Sequence, residues 1–133
     1  MKYEGSCLCG RIKIEVTGEI ELVSHCHCKM CQKAHGAPYG TFAVCKNEYL
    51  KLIADDSDIG RYQSSADIQR TFCANCGSNL QWVSESEIEK GWASFALSLL
   101  DTPINPSKQK HIFTSAKAPW YTFCDDHPKA AKF

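Results

Sequence analysis

Cysteine is the residue type whose number and spacing say most about chemistry in this sequence. Nine of the 133 residues are cysteines, and seven of them fall into three tight groups. The seven are Cys7 and Cys9, then Cys26, Cys28 and Cys31, and finally Cys73 and Cys76. Four thiolates complete a tetrahedral zinc site, whereas three protein ligands leave one position for water or a substrate. Seven clustered cysteines therefore predict one closed site and one open site.

The first and third groups look like two halves of one structural zinc site. They read Cys-x-Cys-Gly and Cys-x-x-Cys-Gly, and end at Gly10 and Gly77. In such a knuckle two sulfurs converge on the metal, and the glycine permits a left-handed turn behind them. A metal there would contribute folding free energy directly.

Spacing alone leaves two alternatives open for these cysteines. Cys7 and Cys9 could be buried core residues while Cys73 and Cys76 form a redox pair. The seven sulfurs could also be divided differently, for example with Cys26, Cys28, Cys73 and Cys76 around one metal. We favour the structural metal site, because the βαβ pattern that accompanies a redox Cys-x-x-Cys pair is missing from the sequence.

The middle group can place three sulfurs around one metal from a single loop. The segment reads His25-Cys26-His27-Cys28-Lys29-Met30-Cys31. Its last cysteine falls in the first turn of a predicted short helix, whose N-terminus favours a thiolate. With no fourth cysteine nearby, the remaining position would hold water or a substrate. The alternative is that His25, His27 or His35 completes the tetrahedron, since imidazole is a good zinc ligand.

The charge of such an open site predicts its chemistry. Three thiolates and one Zn²⁺ sum to a net charge of −1, and electron donation from sulfur makes this zinc a weaker Lewis acid than a zinc bound by three histidines. It is better suited to holding a soft, exchangeable ligand than to making hydroxide. A thiol bound there loses its proton and becomes a thiolate at neutral pH. Our hypothesis is that the zinc-held thiolate attacks a small carbonyl carbon, or that the reverse cleavage occurs.

The residues around the cysteines alternate between apolar and polar, which is the period of strands. The apolar faces of three predicted strands are Ile12, Ile14 and Val16, then Leu80 and Trp82, then Phe95, Leu97 and Leu99. A helix is predicted only at residues 29–34, ended by Gly36 and Pro38. We therefore predict a mainly β, antiparallel fold with little helix, whose loops carry the cysteines.

Length and charge narrow the possible functions. A chain of 133 residues with 44% hydrophobic residues suits a single domain over residues 1–133. Its 15 Lys and Arg balance its 15 Asp and Glu, which argues against a nucleic-acid partner and against a polybasic membrane surface. No apolar run approaches the roughly 18 residues of a transmembrane helix, and the first residues lack a signal-peptide pattern. We expect a cytoplasmic protein, in whose reducing surroundings cysteines bind metal rather than form disulfides.

Several other residues are predicted to have no part in chemistry. Cys45 ends a predicted strand and is expected to be a buried apolar residue. Asp125, Asp126 and His127 are expected to lie in a solvated C-terminal tail. His111 is expected to be an ordinary histidine of the surface or the core.

Taken in chain order, the three cysteine motifs resemble the glutathione-dependent formaldehyde-activating enzyme family, which includes centromere protein V-like proteins. The matching segments are Cys7-Leu8-Cys9-Gly10, residues 25–36 and Phe72-Cys73-Ala74-Asn75-Cys76-Gly77. The resemblance covers roughly residues 3–110. It implies antiparallel twisted sheets, an arrangement sometimes called a β-tent, and two zinc ions per chain.

The resemblance also implies a role for each cysteine in the three groups. A structural zinc would be held by Cys7, Cys9, Cys73 and Cys76, which we name the four-cysteine cluster. A catalytic zinc would be held by Cys26, Cys28 and Cys31, which we name the three-cysteine cluster.

The family's reaction adds glutathione to formaldehyde and gives S-hydroxymethylglutathione, which makes the enzyme a carbon–sulfur lyase. The resemblance therefore implies a thiol, such as glutathione, and a small aldehyde as partners. Glutathione carries two carboxylates, which basic groups such as Lys29, Lys33 and Arg70 could attract. The alternative function is a non-catalytic, zinc-stabilised binding or scaffold module.

Overall fold

A computed structural model describes residues 1–133 as ten strands and two short helices, joined by turns and loops. The strands are β1 (Tyr3–Ser6), β2 (Lys13–Val16), β3 (Ile20–Cys26), β4 (Gly40–Lys46), β5 (Leu50–Ile53), β6 (Ile59–Ser65), β7 (Ile68–Cys73), β8 (Asn79–Ser84), β9 (Trp92–Ala96) and β10 (Gln109–Ile112). The helices are α1 (Lys29–His35) and α2 (Glu85–Glu89). Neither helix has the length and apolar character needed to cross a bilayer. The prediction of a mainly β fold is confirmed.

The strands form two sheets. The smaller has the order β1-β2-β5 and the larger the order β10-β3-β4-β9-β8-β7-β6. Neighbouring strands are antiparallel, as predicted, except that β10 runs parallel to β3 at the edge of the larger sheet. This pairing sets His111 beside His25 and Ile112 beside Cys26. The last strand therefore lies next to the segment that carries the three-cysteine cluster.

The main hydrophobic core joins the two sheets. In β2, Ile14 and Val16 are buried, while Lys13 before them is exposed and Glu15 between them is half-buried, which confirms the predicted alternation. They belong to one apolar cluster with residues of the larger sheet, including the fully buried Phe95. Burying each such side chain contributes about 1.5–3 kcal/mol. Cys45 is also fully buried in this core, as predicted.

One predicted strand is shorter than the sequence indicated. The alternation through Phe95, Leu97 and Leu99 predicts a strand, but β9 ends at Ala96 and Leu97–Leu99 forms a 3-10 turn. The turn brings Leu100 into a bridge with Gly5 at the start of the chain. The Leu99 carbonyl passes through the space that a side chain at residue 5 would fill. A distant partner in the sequence therefore decides where β9 ends.

The helix that follows Cys28 is placed as predicted. α1 runs from Lys29 to His35 and ends at Gly36, whose φ of 59° lies in the left-handed region typical of a helix C-cap. α2 was not predicted. The Ser84 hydroxyl accepts a hydrogen bond from the Glu87 backbone N–H and caps this helix, a pattern that the sequence carries as a short capping box.

Candidate metal centres

The four-cysteine cluster brings together the sulfurs of the first and third cysteine groups. The Sγ atoms of Cys7, Cys9, Cys73 and Cys76 all lie within 4.8 Å of one another. The Cys7–Cys9 separation is 3.6 Å and the Cys9–Cys73 separation is 3.8 Å. Zinc–sulfur bonds of about 2.3 Å in a tetrahedron separate the sulfurs by roughly 3.8 Å. The donor set and its spacing therefore fit a thiophilic ion of the size of Zn²⁺.

Two glycine turns shape this cluster. Gly10 and Gly77 follow the two cysteine pairs with φ values of 83° and 80°, in the left-handed region where glycine costs least. Backbone N–H groups donate to the sulfurs: Ile12 to Cys7 at 3.4 Å, and Cys76 to Cys73 at 3.5 Å. Such bonds favour the thiolate form that a metal needs. The knuckle predicted from the sequence is therefore present in both halves.

The four-cysteine cluster is anchored in the main core, although part of it reaches the surface. Cys7 and Cys73 are buried members of that core, while Cys9 is exposed. A hydrogen bond from the Ser78 hydroxyl lowers the pKa of Cys76 to about 5. A thiol with that pKa is ionised at neutral pH and ready to ligate a metal.

The three-cysteine cluster brings the sulfurs of Cys26, Cys28 and Cys31 together at the end of β3 and the start of α1. All three Sγ atoms lie within 4.8 Å of one another, and those of Cys26 and Cys28 are 3.3 Å apart. Cys26 and Cys31 are buried and Cys28 is half-buried. Three thiols that converge in this way fit three corners of a tetrahedral thiolate site.

Local backbone structure explains how these three sulfurs converge. Cys28 is the N-cap residue of α1, and its Sγ accepts a hydrogen bond from the Cys31 backbone N–H at 3.4 Å. Cys26, at the end of β3, packs against Phe42 and Ile112 in a second, smaller apolar cluster. Hydrogen bonds from the Cys26 and Cys31 thiols lower the pKa of Cys28.

None of the three histidines considered as a fourth ligand joins this group of sulfurs. Both ring nitrogens of His25 are engaged, with Thr41 Oγ1 at 2.9 Å and Gln109 Oε1 at 2.9 Å. His27 pairs through Nε2 with His111 Nδ1 at 2.7 Å. His35 lies against Gly40 and Asn79. The structure thus gives no support to the alternative in which a histidine closes the site.

The three basic residues near the clusters differ in their surroundings. Lys29 and Lys33 are exposed on α1. Arg70 is buried on β7, where its Nη2 donates to the Cys31 Sγ at 3.6 Å. The sequence analysis offered Arg70 as a group that could attract a carboxylate of glutathione, and the structure places this guanidinium against the three-cysteine cluster.

A chain of three polar side chains begins at His27, which lies between Cys26 and Cys28, and it was not predicted. His27 and His111 are fully buried, and His111 Nε2 lies 2.9 Å from Asp125 Oδ2. Because a carboxylate only accepts, His111 donates through Nε2 and accepts through Nδ1 from His27. Burial lowers the pKa of His27 to about 4, which keeps this histidine neutral at pH 7. Asp125 is therefore bound to His111 on β10, and its assignment to a solvated tail was wrong.

This chain of contacts predicts an acid-dependent contribution to stability. The hydrogen bond from His111 lowers the pKa of Asp125, so the folded protein binds fewer protons than the unfolded chain as the pH approaches 4. The contribution is present above the ordinary carboxyl pKa of about 3.9 and is lost as the pH falls below it. We expect Asp125→Asn to have a lower Tm than the wild type at pH 6, with a gap that narrows below pH 4.

The measurement is thermal unfolding by circular dichroism between pH 6 and pH 3. Each variant is compared with the wild type at the same pH and the same metal content, because acid also protonates the metal-binding thiolates. Asp126→Asn is the matched control, because Asp126 is the exposed neighbour of Asp125. It should leave the Tm unchanged across this range. A Tm gap for Asp125→Asn that stays constant with pH would show that this carboxylate is not held by His111.

A cleft of about 630 Å³ opens beside the four-cysteine cluster. Its lining includes Cys7, His35, Tyr39, Asn79 and Asp101, and it contains no sulfur of the three-cysteine cluster. The lining is polar and has one acidic side chain but no Lys or Arg. A dianionic ligand would find no positive partner there.

The fold and the two sulfur clusters together define a class: a mainly β protein with two cysteine clusters that could hold metal ions. The sequence model of one family, described as glutathione-dependent formaldehyde-activating enzyme, matches residues 2–116. This range covers most of the chain and all seven clustered cysteines. The protein belongs to the glutathione-dependent formaldehyde-activating enzyme family.

The sequence identity between this chain and individual relatives is low. An uncharacterised lyase of Schizosaccharomyces pombe is 33% identical over 82 residues, which make up 62% of this chain and 58% of that protein. A protein of Pyrenophora teres f. teres, provisionally named glutathione-dependent formaldehyde-activating enzyme, is 28% identical over an alignment of 127 residues, which covers 80% of this chain and 67% of the relative. The chain thus spans little more than half the length of the first relative.

A solved structure shares the fold. The crystal structure of a Rhodobacter sphaeroides protein superposes with a TM-score of 0.61, covering 80% of this chain and 97% of that chain. The two sequences are 20% identical, so the likeness concerns the fold alone.

Proposed function

We propose that this protein is a zinc-dependent carbon–sulfur lyase that joins a thiol, such as glutathione, to a small aldehyde, such as formaldehyde. The observation that carries the proposal is the three-cysteine cluster: three converging sulfurs, with no histidine or further cysteine grouped with them. Membership of the formaldehyde-activating family supports the choice of thiol and aldehyde as the substrate classes.

In this proposal Cys26, Cys28 and Cys31 hold the catalytic zinc. Zinc bound there would supply a Lewis acid that lowers the pKa of a substrate thiol and makes it a nucleophile near neutral pH. The sulfur forms a new bond to the carbonyl carbon, and the C=O π bond opens. The proton lost by the thiol ends on the former carbonyl oxygen, so no oxidant or reductant is consumed. The reverse reaction cleaves the same carbon–sulfur bond.

The four-cysteine cluster has a structural role in this proposal. A second zinc bound by Cys7, Cys9, Cys73 and Cys76 would tie the β1–β2 region to the end of β7. With all four positions filled by cysteines, it would have no site for a substrate.

The test is an exchange measurement on protein whose metal content has been determined. We expect about two zinc ions per chain, one for each cluster. Formaldehyde and glutathione form their adduct reversibly without a catalyst, and NMR exchange spectroscopy follows the rate at which formaldehyde passes between the free and adduct forms. The zinc-containing protein should accelerate that exchange. 2-Mercaptoethanol, a thiol without an amine that could trap formaldehyde, tests as a second thiol how narrowly the site selects its substrate.

One outcome of this measurement would contradict the proposal. If protein with two zinc ions per chain accelerates the exchange with neither thiol, the lyase proposal is wrong. The non-catalytic, zinc-stabilised binding module would then be the better description.

A further inference from the structure

We infer that Arg70 is a positioning residue of the three-cysteine cluster, where its guanidinium holds the Cys31 thiolate and offsets the negative charge that an anionic fourth ligand adds. This inference rests on the proposed function, because it concerns the charge of the substrate that binds the same cluster. It gives the site a preference for thiolates over neutral ligands.

The first support is the burial of an unpaired cation. Arg70 is 9% exposed and makes no ion pair with any carboxylate. An uncompensated charge in the interior costs several kcal/mol, so a buried guanidinium needs an anion next to it. The contact that the structure gives it is the Cys31 Sγ, 3.6 Å from Nη2. An ionised three-cysteine cluster supplies the missing negative charge.

The second support is a donor that has no partner. The Nε atom of Arg70 is buried and makes no hydrogen bond. In the planar guanidinium, Nε–H lies on the same edge as an Nη2–H, and this edge forms bidentate contacts with anions. The Nη2 group that reaches Cys31 is therefore the neighbour, within one side chain, of a buried donor without a partner. A thiolate accepts more than one hydrogen bond, so an ionised cluster would give this side chain a stronger acceptor than neutral thiols do.

Charge counting explains what this contact would do. Three thiolates with one Zn²⁺ carry −1, and a thiolate substrate as fourth ligand would raise the total to −2. With the positive charge of Arg70 the totals become 0 and −1, so the substrate thiolate enters a neutral site. The four-cysteine cluster has no such cation in contact with its sulfurs and instead reaches solvent at Cys9. The negative charge of the two clusters is therefore offset in different ways: by a buried guanidinium at the three-cysteine cluster and by solvent at the four-cysteine cluster.

The experiment replaces Arg70 by Met, which keeps the length and removes charge and donors, and by Lys, which keeps the charge without the planar fork. Lys33→Met is the matched control, since it removes an exposed charge on α1 near the same cluster. Each protein is loaded with Co²⁺ in place of zinc, and the sulfur-to-cobalt charge-transfer absorption is recorded. Far-UV circular dichroism verifies that each variant is folded. Should Arg70→Met fail to fold, Arg70→Lys carries the test.

We expect three results. Loss of the N–H···S contact makes Cys31 a stronger electron donor, so the charge-transfer band of Arg70→Met shifts to longer wavelength while that of Lys33→Met does not. Zinc affinity falls about 10- to 100-fold at one of the two sites per chain. Binding of 2-mercaptoethanol to the cobalt protein weakens about tenfold relative to that of imidazole, and Arg70→Lys retains most of this thiol preference.

The inference is overturned if Arg70→Met keeps the spectrum, the zinc affinity and the thiol preference of the wild type. It is also overturned if Arg70→Lys loses the preference for 2-mercaptoethanol as fully as Arg70→Met does. None of these readouts uses turnover. A wild-type protein that fails to accelerate formaldehyde exchange would therefore refute the proposed function without affecting this test.

Discussion

Replacing Cys76 by Ser should leave the chain unfolded or aggregated under conditions where the wild type is folded. Cys76 is half-buried at one corner of the four-cysteine cluster, so the substitution removes a ligand with little loss of core packing. Structural zinc contributes about 10–16 kcal/mol in small zinc peptides, which is as large as the entire net stability of a typical domain, about 5–15 kcal/mol. The hydrophobic core cannot compensate for the loss of a substantial part of that free energy, so the unfolded state becomes the more stable one.

The measurement is far-UV circular dichroism with thermal unfolding, together with zinc analysis of the soluble fraction. Cys124→Ser is the matched control, because Cys124 is exposed and belongs to neither cluster. It should behave as the wild type does. A Cys76→Ser protein that remains soluble, with an unchanged Tm, would show that this cluster does not support the fold.

Replacing Cys28 by Ser should have the opposite pattern: a folded protein with about one zinc fewer per chain and almost no turnover. The four-cysteine cluster is untouched, and Ser is a favoured N-cap residue that can take over the capping of α1. We expect formaldehyde exchange to slow by roughly 10³-fold or more, the scale observed when a group acting on the reacting atoms is removed. Circular dichroism, zinc analysis and the NMR exchange rate on the same sample measure all three effects.

The comparison of the two variants tests the division of labour between the clusters. Cys28→Ser and Cys76→Ser each change one sulfur to oxygen in one cluster. If both unfold, or if both stay folded with equal loss of exchange, the assignment of a structural and a catalytic cluster is wrong. A Cys28→Ser protein with full turnover would remove the three-cysteine cluster from the mechanism.

The cysteine pattern was informative in the sequence because thiols in knuckle spacing have few alternative uses in a reducing environment. Spacing alone left the division of the seven sulfurs open, and the family resemblance supplied one division. The structure places the sulfurs in the same two groups. The strands were predictable for a local reason, since the alternation of Ile14 and Val16 with Lys13 reports burial directly.

Features that depend on contacts between distant residues could not be predicted. Asp125 meets His111, and His111 meets His27 across 84 positions of the chain, through a parallel pairing that no local pattern indicates. The burial of Arg70 depends in the same way on where β7 meets the three-cysteine cluster. In a strand whose residues alternate between polar and apolar, the sequence alone predicts that a charged side chain faces solvent. The contact of Arg70 with Cys31 is seen only in the structure.

Cadmium NMR tests the central claim, that the three-cysteine cluster leaves one position to an outside thiol. The wild type loaded with ¹¹³Cd should give two resonances, because the chemical shift of cadmium moves downfield with each added thiolate ligand. We expect one resonance at the position of four sulfur ligands, and one upfield of it at the position of three. Adding a thiol should move only the upfield signal to the four-sulfur position. An upfield signal that does not respond to thiol, or two signals at the four-sulfur position before thiol is added, would contradict this claim.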